Sequence, residues 1–188
     1  MTPAMDRKLQ LYKHGCERAV IFCYANNLPP PLAFINRKLK KDTGFYDPKT
    51  TKVTVDVSAT ATPVLKPHHM CWSWPAFKTD RTAVGVPCHE TGHHIQFHLM
   101  KERIWDRRWN TLYANTPKIT SYEPVASEAF AETMRLYILN PQLLAMYSPL
   151  RYAFIKDNLG LSAIEERDPY EVVGNPNYNA RIKELIRG

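Results

Sequence analysis

The sequence predicts an α+β fold with a small twisted sheet packed against helices, on three observations. Residues 50–58 (TTKVTVDVS) alternate valine with polar residues and are rich in β-branched types, the pattern of a half-buried strand. Residues 6–26, 80–110 and 123–139 instead repeat apolar side chains at three- and four-residue steps, the period of one helix face. The 188 residues, 44% apolar and 23% charged, suffice for one domain with a full hydrophobic core but not for two large ones.

In chain order, Leu9, Tyr12, Cys16, Val20 and Cys23 make residues 6–26 a helix, which Asn26-Asn27-Leu28-Pro29-Pro30-Pro31 ends. Residues 34–40 read as a short strand or turn. Residues 42–49, with Gly44 and Pro48, read as a loop before the strand at 50–58. A second extended segment is expected at 68–77, where Trp72 and Trp74 share a strand face and most simply serve packing. Residues 80–110 read as a helix capped by Asp80 or Thr82, its stripe of His93, Phe97, Met100 and Ile104 turned to the core. Pro87 fits a first turn but would break an interior hydrogen bond, so the helix either starts or kinks there. The helix at 123–139 has Pro124 in its first turn and is stopped by Asn140-Pro141. Further helices are expected at 141–158 and 179–187.

The net charge of +7 favours acidic partners, but no basic stripe dominates, and nothing beyond net charge points to nucleic acid. Cys16, Cys23, Cys71 and Cys88 include no C-x-x-C pair, which argues against a zinc ribbon. The N-terminus MTPAMDRKLQ lacks the apolar run of a secretory signal, and no apolar run is long enough to span a membrane. Thiols in a reducing compartment are expected, and with them a cytoplasmic protein of phage-encoded or bacterial character, intracellular or in a virion.

The chemistry concentrates at residues 89–93, His-Glu-Thr-Gly-His, an H-E-x-x-H motif. Histidines four apart lie one turn apart on one helix face, so His89 and His93 can meet one ion, and Glu90 can reach a water beside it. Zinc suits this donor set, and a catalytic zinc takes three protein ligands and one open position. Gln96 and Leu99 stand where a metzincin has its glycine and third histidine, and His98 is one position out of register. Another common solution is a glutamate from a following helix. Glu128 and Glu132, four apart, share a face of the helix at 123–139. Gly92 in mid-helix costs about 1 kcal/mol relative to alanine, which close approach to another element explains. His94 and His98 are also four apart and read better as surface or partner-facing residues than as a second metal pair. Cys88 reads as a buried thiol.

An HExxH helix followed by a second helix carrying E-x-x-x-[DE] resembles the gluzincin metallopeptidases. Glu128-Ala129-Phe130-Ala131-Glu132, running on into Met134-Arg135-Leu136, is similar to the zinc-binding helix of lethal-factor-type peptidases. The resemblance covers roughly residues 85–141. It implies a zincin-like domain over 1–188, its metal-site core at about 50–141. It also implies zinc-dependent hydrolysis of a protein or peptide substrate. In that pattern His89, His93 and Glu128 bind Zn2+, Glu90 is the general base, and Glu132 orients His89 or His93. Tyr122 is the candidate to stabilise the oxyanion, with Tyr113, Tyr137, His68 and His69 as alternatives. The edge strand that pairs with substrate is expected at 70–75. Three other readings share the motif or the charge. One is a regulatory peptidase resembling the ImmA/IrrE group, acting on a repressor. Another is a non-catalytic metal-binding or virion structural protein, and the last a basic nucleic-acid-binding protein. A DNA-directed SprT-type peptidase would add a cysteine-rich module and a histidine third ligand, and neither is visible.

Overall fold

The computed structural model describes residues 2–61, 81–100 and 103–164. The strand expected at 70–75, Cys71, Trp72, Trp74, His68, His69 and the helix expected at 179–187 lie outside the described residues. Those described form an α+β arrangement. Six helices, α1 (Pro3–Ala25), α2 (Gly85–Leu99), α3 (Arg103–Asn115), α4 (Ala126–Leu139), α5 (Pro141–Tyr147) and α6 (Pro149–Ala153), accompany three strands, β1 (Ala33–Asn36), β2 (Gly44–Asp47) and β3 (Lys52–Val55). None of these helices is long and apolar enough to cross a membrane.

The α1 helix starts three residues before the expected position. Thr2 accepts from the Met5 N–H, and Pro3 at the first helical position loses no hydrogen bond. Its apolar face, including Tyr12, Cys16, Val20, Phe22 and Cys23, is buried. Cys88 on α2 is buried as expected, and its thiol donates to the Gly15 carbonyl, tying α2 to α1.

The sheet runs β1-β3-β2, with β1 parallel and β2 antiparallel to β3. β2 corrects the reading of residues 42–49 as loop. Gly44-Phe45-Tyr46-Asp47 is only four residues long and all four are half-buried, so no alternation marks it. Its register is set by the turn that follows. The Asp47 carboxylate accepts from the Lys49 N–H and the Thr50 hydroxyl, and Thr51 takes a φ of +52°.

Residues 80–110 do not form one helix. Thr82 accepts from the Gly85 N–H just before α2, so Pro87 falls in the first turn, where no intrahelical acceptor is lost. α2 closes at Met100, whose N–H donates to Gln96, and α3 begins anew at Arg103. The expected core stripe holds only in part, since Met100 packs against the core while Phe97 is 46% and Ile104 54% exposed. α3 turns Trp109 inward instead, its ring 5.1 Å from Phe130 and its indole N–H on the Ala126 carbonyl.

α4 also starts late, at Ala126, because Glu123 is used in the turn before it. The Glu123 carboxylate accepts from the Ile119 and Thr120 N–H groups and pairs with Arg151 at 2.9 Å. Asn140 then ends α4 and caps α5 through the Leu143 N–H.

The α2–α4 interface is the most extensive between elements, and α2 also packs on β2 and β3. Gly92 makes the helix crossing close. A Cβ there would lie 2.8 Å from the Ala131 Cα and 3.0 Å from its carbonyl oxygen.

Candidate metal centre

Because α2 and α4 cross at Gly92, His89 and His93 on one helix face Glu128 and Glu132 on the other. His89 Nε2 lies 3.2 Å from a Glu128 oxygen and His93 Nε2 lies 3.5 Å from the other. Ligand atoms of His89, His93 and Glu128 all fall within 4.8 Å of one another. Tetrahedral ligands about 2.0–2.1 Å from a zinc ion stand about 3.3 Å apart. Each histidine lies close to that distance from Glu128, on a different carboxylate oxygen, and two imidazoles with one carboxylate are a zinc-type donor set. The residues present therefore fit a bound divalent metal.

Glu132 fixes which nitrogen of His89 faces the cluster. Its Oε1 lies 2.8 Å from His89 Nδ1, leaving Nε2 on the Glu128 side. Of the two histidines it was expected to orient, the structure therefore places it on His89. Arg135, one turn on, donates from Nε and Nη2 to the two Glu132 oxygens at 3.1 Å each, with both side chains fully buried. Burial would raise the Glu132 carboxyl, but the Arg135 charge and the His89 hydrogen bond outweigh it and push the group well below the usual carboxylate range. For His89, burial opposes protonation, but its hydrogen bonds with Glu128 and Glu132 prevail and raise it to about 9. Glu128 is lowered to about 2 by hydrogen bonds with His89 and His93.

Glu90 is buried on the wall of the same cleft, and burial raises its carboxyl despite the two histidines. The Tyr46 backbone acts weakly against that rise. β2 comes this close because residue 44 is glycine. A Cβ there would lie 2.5 Å from Val86 Cγ1 and 3.1 Å from Glu90 Oε1. Since the Asp56 N–H donates to the Thr43 carbonyl, Phe45 is the residue bonded to β3, and Gly44 and Tyr46 turn their backbone groups the other way.

The Tyr122 ring centroid lies 5.8 Å from that of His89, and its side chain lines the cleft. Two of the alternatives are occupied elsewhere, while His68 and His69 lie outside the described residues. Tyr113 donates to the Glu123 carbonyl and Tyr137 to the Leu161 carbonyl. His94 is not the surface residue expected. It is buried, with Nε2 2.8 Å from the Pro29 carbonyl and Nδ1 3.2 Å from the Tyr46 hydroxyl, and burial lowers its pKa to about 4.

Arg135, the Tyr46 backbone and the Lys41 and Arg81 side chains at the cleft are additions to the sequence reading. Only Arg135 had a local signal, an opposite charge three residues from Glu132 on a helix. No family model matches the chain, and no curated protein or solved structure matches it either. The case for function therefore stands on the residues of the cleft.

Proposed function

We propose that the chain is a zinc-dependent peptidase of zincin-like, gluzincin-type architecture. The observation that carries this is the convergence of His89, His93 and Glu128, with ligand atoms within 4.8 Å of one another, and Glu90 on the same wall. His89, His93 and Glu128 hold the ion. A bound zinc supplies Lewis acidity, lowering the pKa of water and polarising a carbonyl. Glu90 accepts a proton from the water as the water's oxygen attacks the carbonyl carbon. It then delivers that proton to the amine nitrogen as the carbon–nitrogen bond breaks. The Tyr122 phenol donates to the oxyanion that develops between the two steps. Glu132 keeps His89 in the tautomer that presents Nε2 to the cluster.

The test pairs metal content with turnover. Purified chain should carry about one zinc and cleave members of a peptide library, with both lost to a chelator. Glu90→Gln should keep the zinc and lose hydrolysis. Glu128→Ala should lower zinc affinity by orders of magnitude. Zinc retained with no peptide cleaved by the wild type would replace the peptidase reading with a structural metal site.

A further inference from the structure

Two cavities of different chemistry meet at the ligand cluster. The first, about 320 Å3, is lined by Lys41, Asp42, Thr43 and Arg81 together with His89, Glu90 and Tyr122. The second, about 530 Å3, is lined by Phe45, Tyr46, Pro48 and Phe97 together with the same His89, Glu90 and Tyr122. The shared wall is the proposed reaction centre, so a chain lying across it reaches into both.

We propose that the first cavity is a carboxylate subsite built on Arg81 and Lys41, and that the second takes a bulky apolar side chain. On the peptidase reading, from which this proceeds, the preferred substrate carries a carboxylate on one side of the scissile bond and an aromatic or large aliphatic residue on the other. Arg81 is held at both ends. Its carbonyl accepts from the Ala61 N–H, and its Nη2 donates to the Thr43 hydroxyl at 2.8 Å. Holding the guanidinium lowers the entropy lost when it engages a partner, and its planar fork matches a carboxylate. Lys41 is delivered by a tethered segment, in which the Leu39 N–H donates to the Asp56 carboxylate at 2.9 Å. Among the described residues outside the reaction centre, Lys41 and Arg81 face one acid, Asp42, so their balance at this cavity is positive. Among the described residues, no lysine or arginine lines the second cavity. There the Tyr46 and Phe97 rings lie 6.4 Å apart, and Phe97 leaves a large apolar surface exposed on the rim.

The carboxylate can come from an acidic side chain or from a chain terminus, and the experiment separates them. Fluorescent peptides of equal length place leucine or phenylalanine beside glutamate, glutamine or lysine, with both ends blocked. A fourth ends in a free carboxylate at that position. Anisotropy measures their binding to zinc-loaded full-length Glu90→Gln protein, and a wild-type digest of the same set measures cleavage. The glutamate or free-carboxylate peptide should bind at least tenfold more tightly than the lysine peptide, and whichever binds better identifies the source. Adding Arg81→Glu should invert the preference while zinc content and circular dichroism stay unchanged. Equal binding of all peptides, no binding of any, or a preference that survives Arg81→Glu overturns the subsite. The peptidase reading fails separately, through intact peptides in the wild-type digest despite a charge-dependent binding preference.

Discussion

Gly92→Ala adds one methyl group on the far side of α2 from solvent, and it tests whether the helix crossing sets the metal site. The new Cβ would meet the Ala131 Cα at 2.8 Å, the Ala131 carbonyl oxygen at 3.0 Å and Met134 Cβ at 3.1 Å. Two of these atoms are backbone, so no rotamer change clears them, and the helices must part by several tenths of an ångström. Overpacking of this kind costs about 1–3 kcal/mol. The helix propensity gained by replacing glycine returns about 1 kcal/mol, so the net loss of stability should be about 0–2 kcal/mol. The effect on metal binding should be out of proportion to that loss. His89 and His93 ride on α2 and Glu128 on α4, so parting the helices lengthens both histidine–glutamate separations from 3.2 and 3.5 Å.

Zinc affinity, measured by competition with a chromophoric chelator, should fall at least tenfold in this variant, while urea denaturation without metal reports the modest stability change. Met134→Ala in the same background should restore little, because alanine keeps the Cβ that makes the third contact and both backbone contacts remain. Wild-type zinc affinity in Gly92→Ala would refute the claim that the α2–α4 spacing positions the ligands.

Arg135→Met should cost about 3–5 kcal/mol in urea denaturation, because it strands the buried Glu132 charge. It should also weaken zinc binding about 10- to 100-fold through the lost support of His89. Glu132→Gln combined with Arg135→Met should be less destabilised than Arg135→Met alone, and equal stabilities would mean that the buried charge is not the cause. His94, lowered from 6.5 to about 4, is protonated more readily in the unfolded chain than in the folded one. Its contribution is therefore complete above pH 6.5 and is lost as pH falls towards 4, by about 3 kcal/mol at most. His94→Gln should flatten stability against pH in that window, and an unchanged slope would assign the acid sensitivity elsewhere. His89, raised to about 9 in the metal-free chain, acts in the opposite window, its contribution being lost as pH climbs from 6.5 to 9.

What the sequence made legible was what a single element encodes. The spacing of His89 and His93, and of Glu128 and Glu132, follows from helical repeat alone, and Gly92 in mid-helix already implied a close neighbour. The β-branched alternation at 50–58 located β3. Non-local pairing and packing hid the rest. β2 is defined by its register on β3, not by a pattern of its own, and its approach to Glu90 depends on Gly44 meeting Val86 from another element. The apolar period continued through residues 99–103 without glycine or proline, so nothing local announced that α2 ends at Leu99. His94 carries the same i, i+4 signal as His89 and His93, yet Pro29 and Tyr46 occupy both of its ring nitrogens.

The buried charges bear on why this core is not simply apolar. Among the described residues, the two carboxylate–guanidinium pairs with both side chains at zero exposure are Glu132–Arg135 and Glu123–Arg151. Such pairs are poor investments in stability, since desolvating two ions offsets most of their attraction, and apolar replacements of equal volume are often as stable. Their placement supplies the missing reason. Glu132 touches His89 directly. Glu123 gathers the Ile119 and Thr120 N–H groups, while Arg151 reaches the Pro117 carbonyl and the Thr116 hydroxyl. Together they pin the turn from which Tyr122 projects towards the His89 ring. Each pair thus stands one step behind a side chain at the ligand cluster, one fixing an imidazole and the other the turn that carries a phenol. An apolar core could fill the same volume, but it could not specify those two orientations.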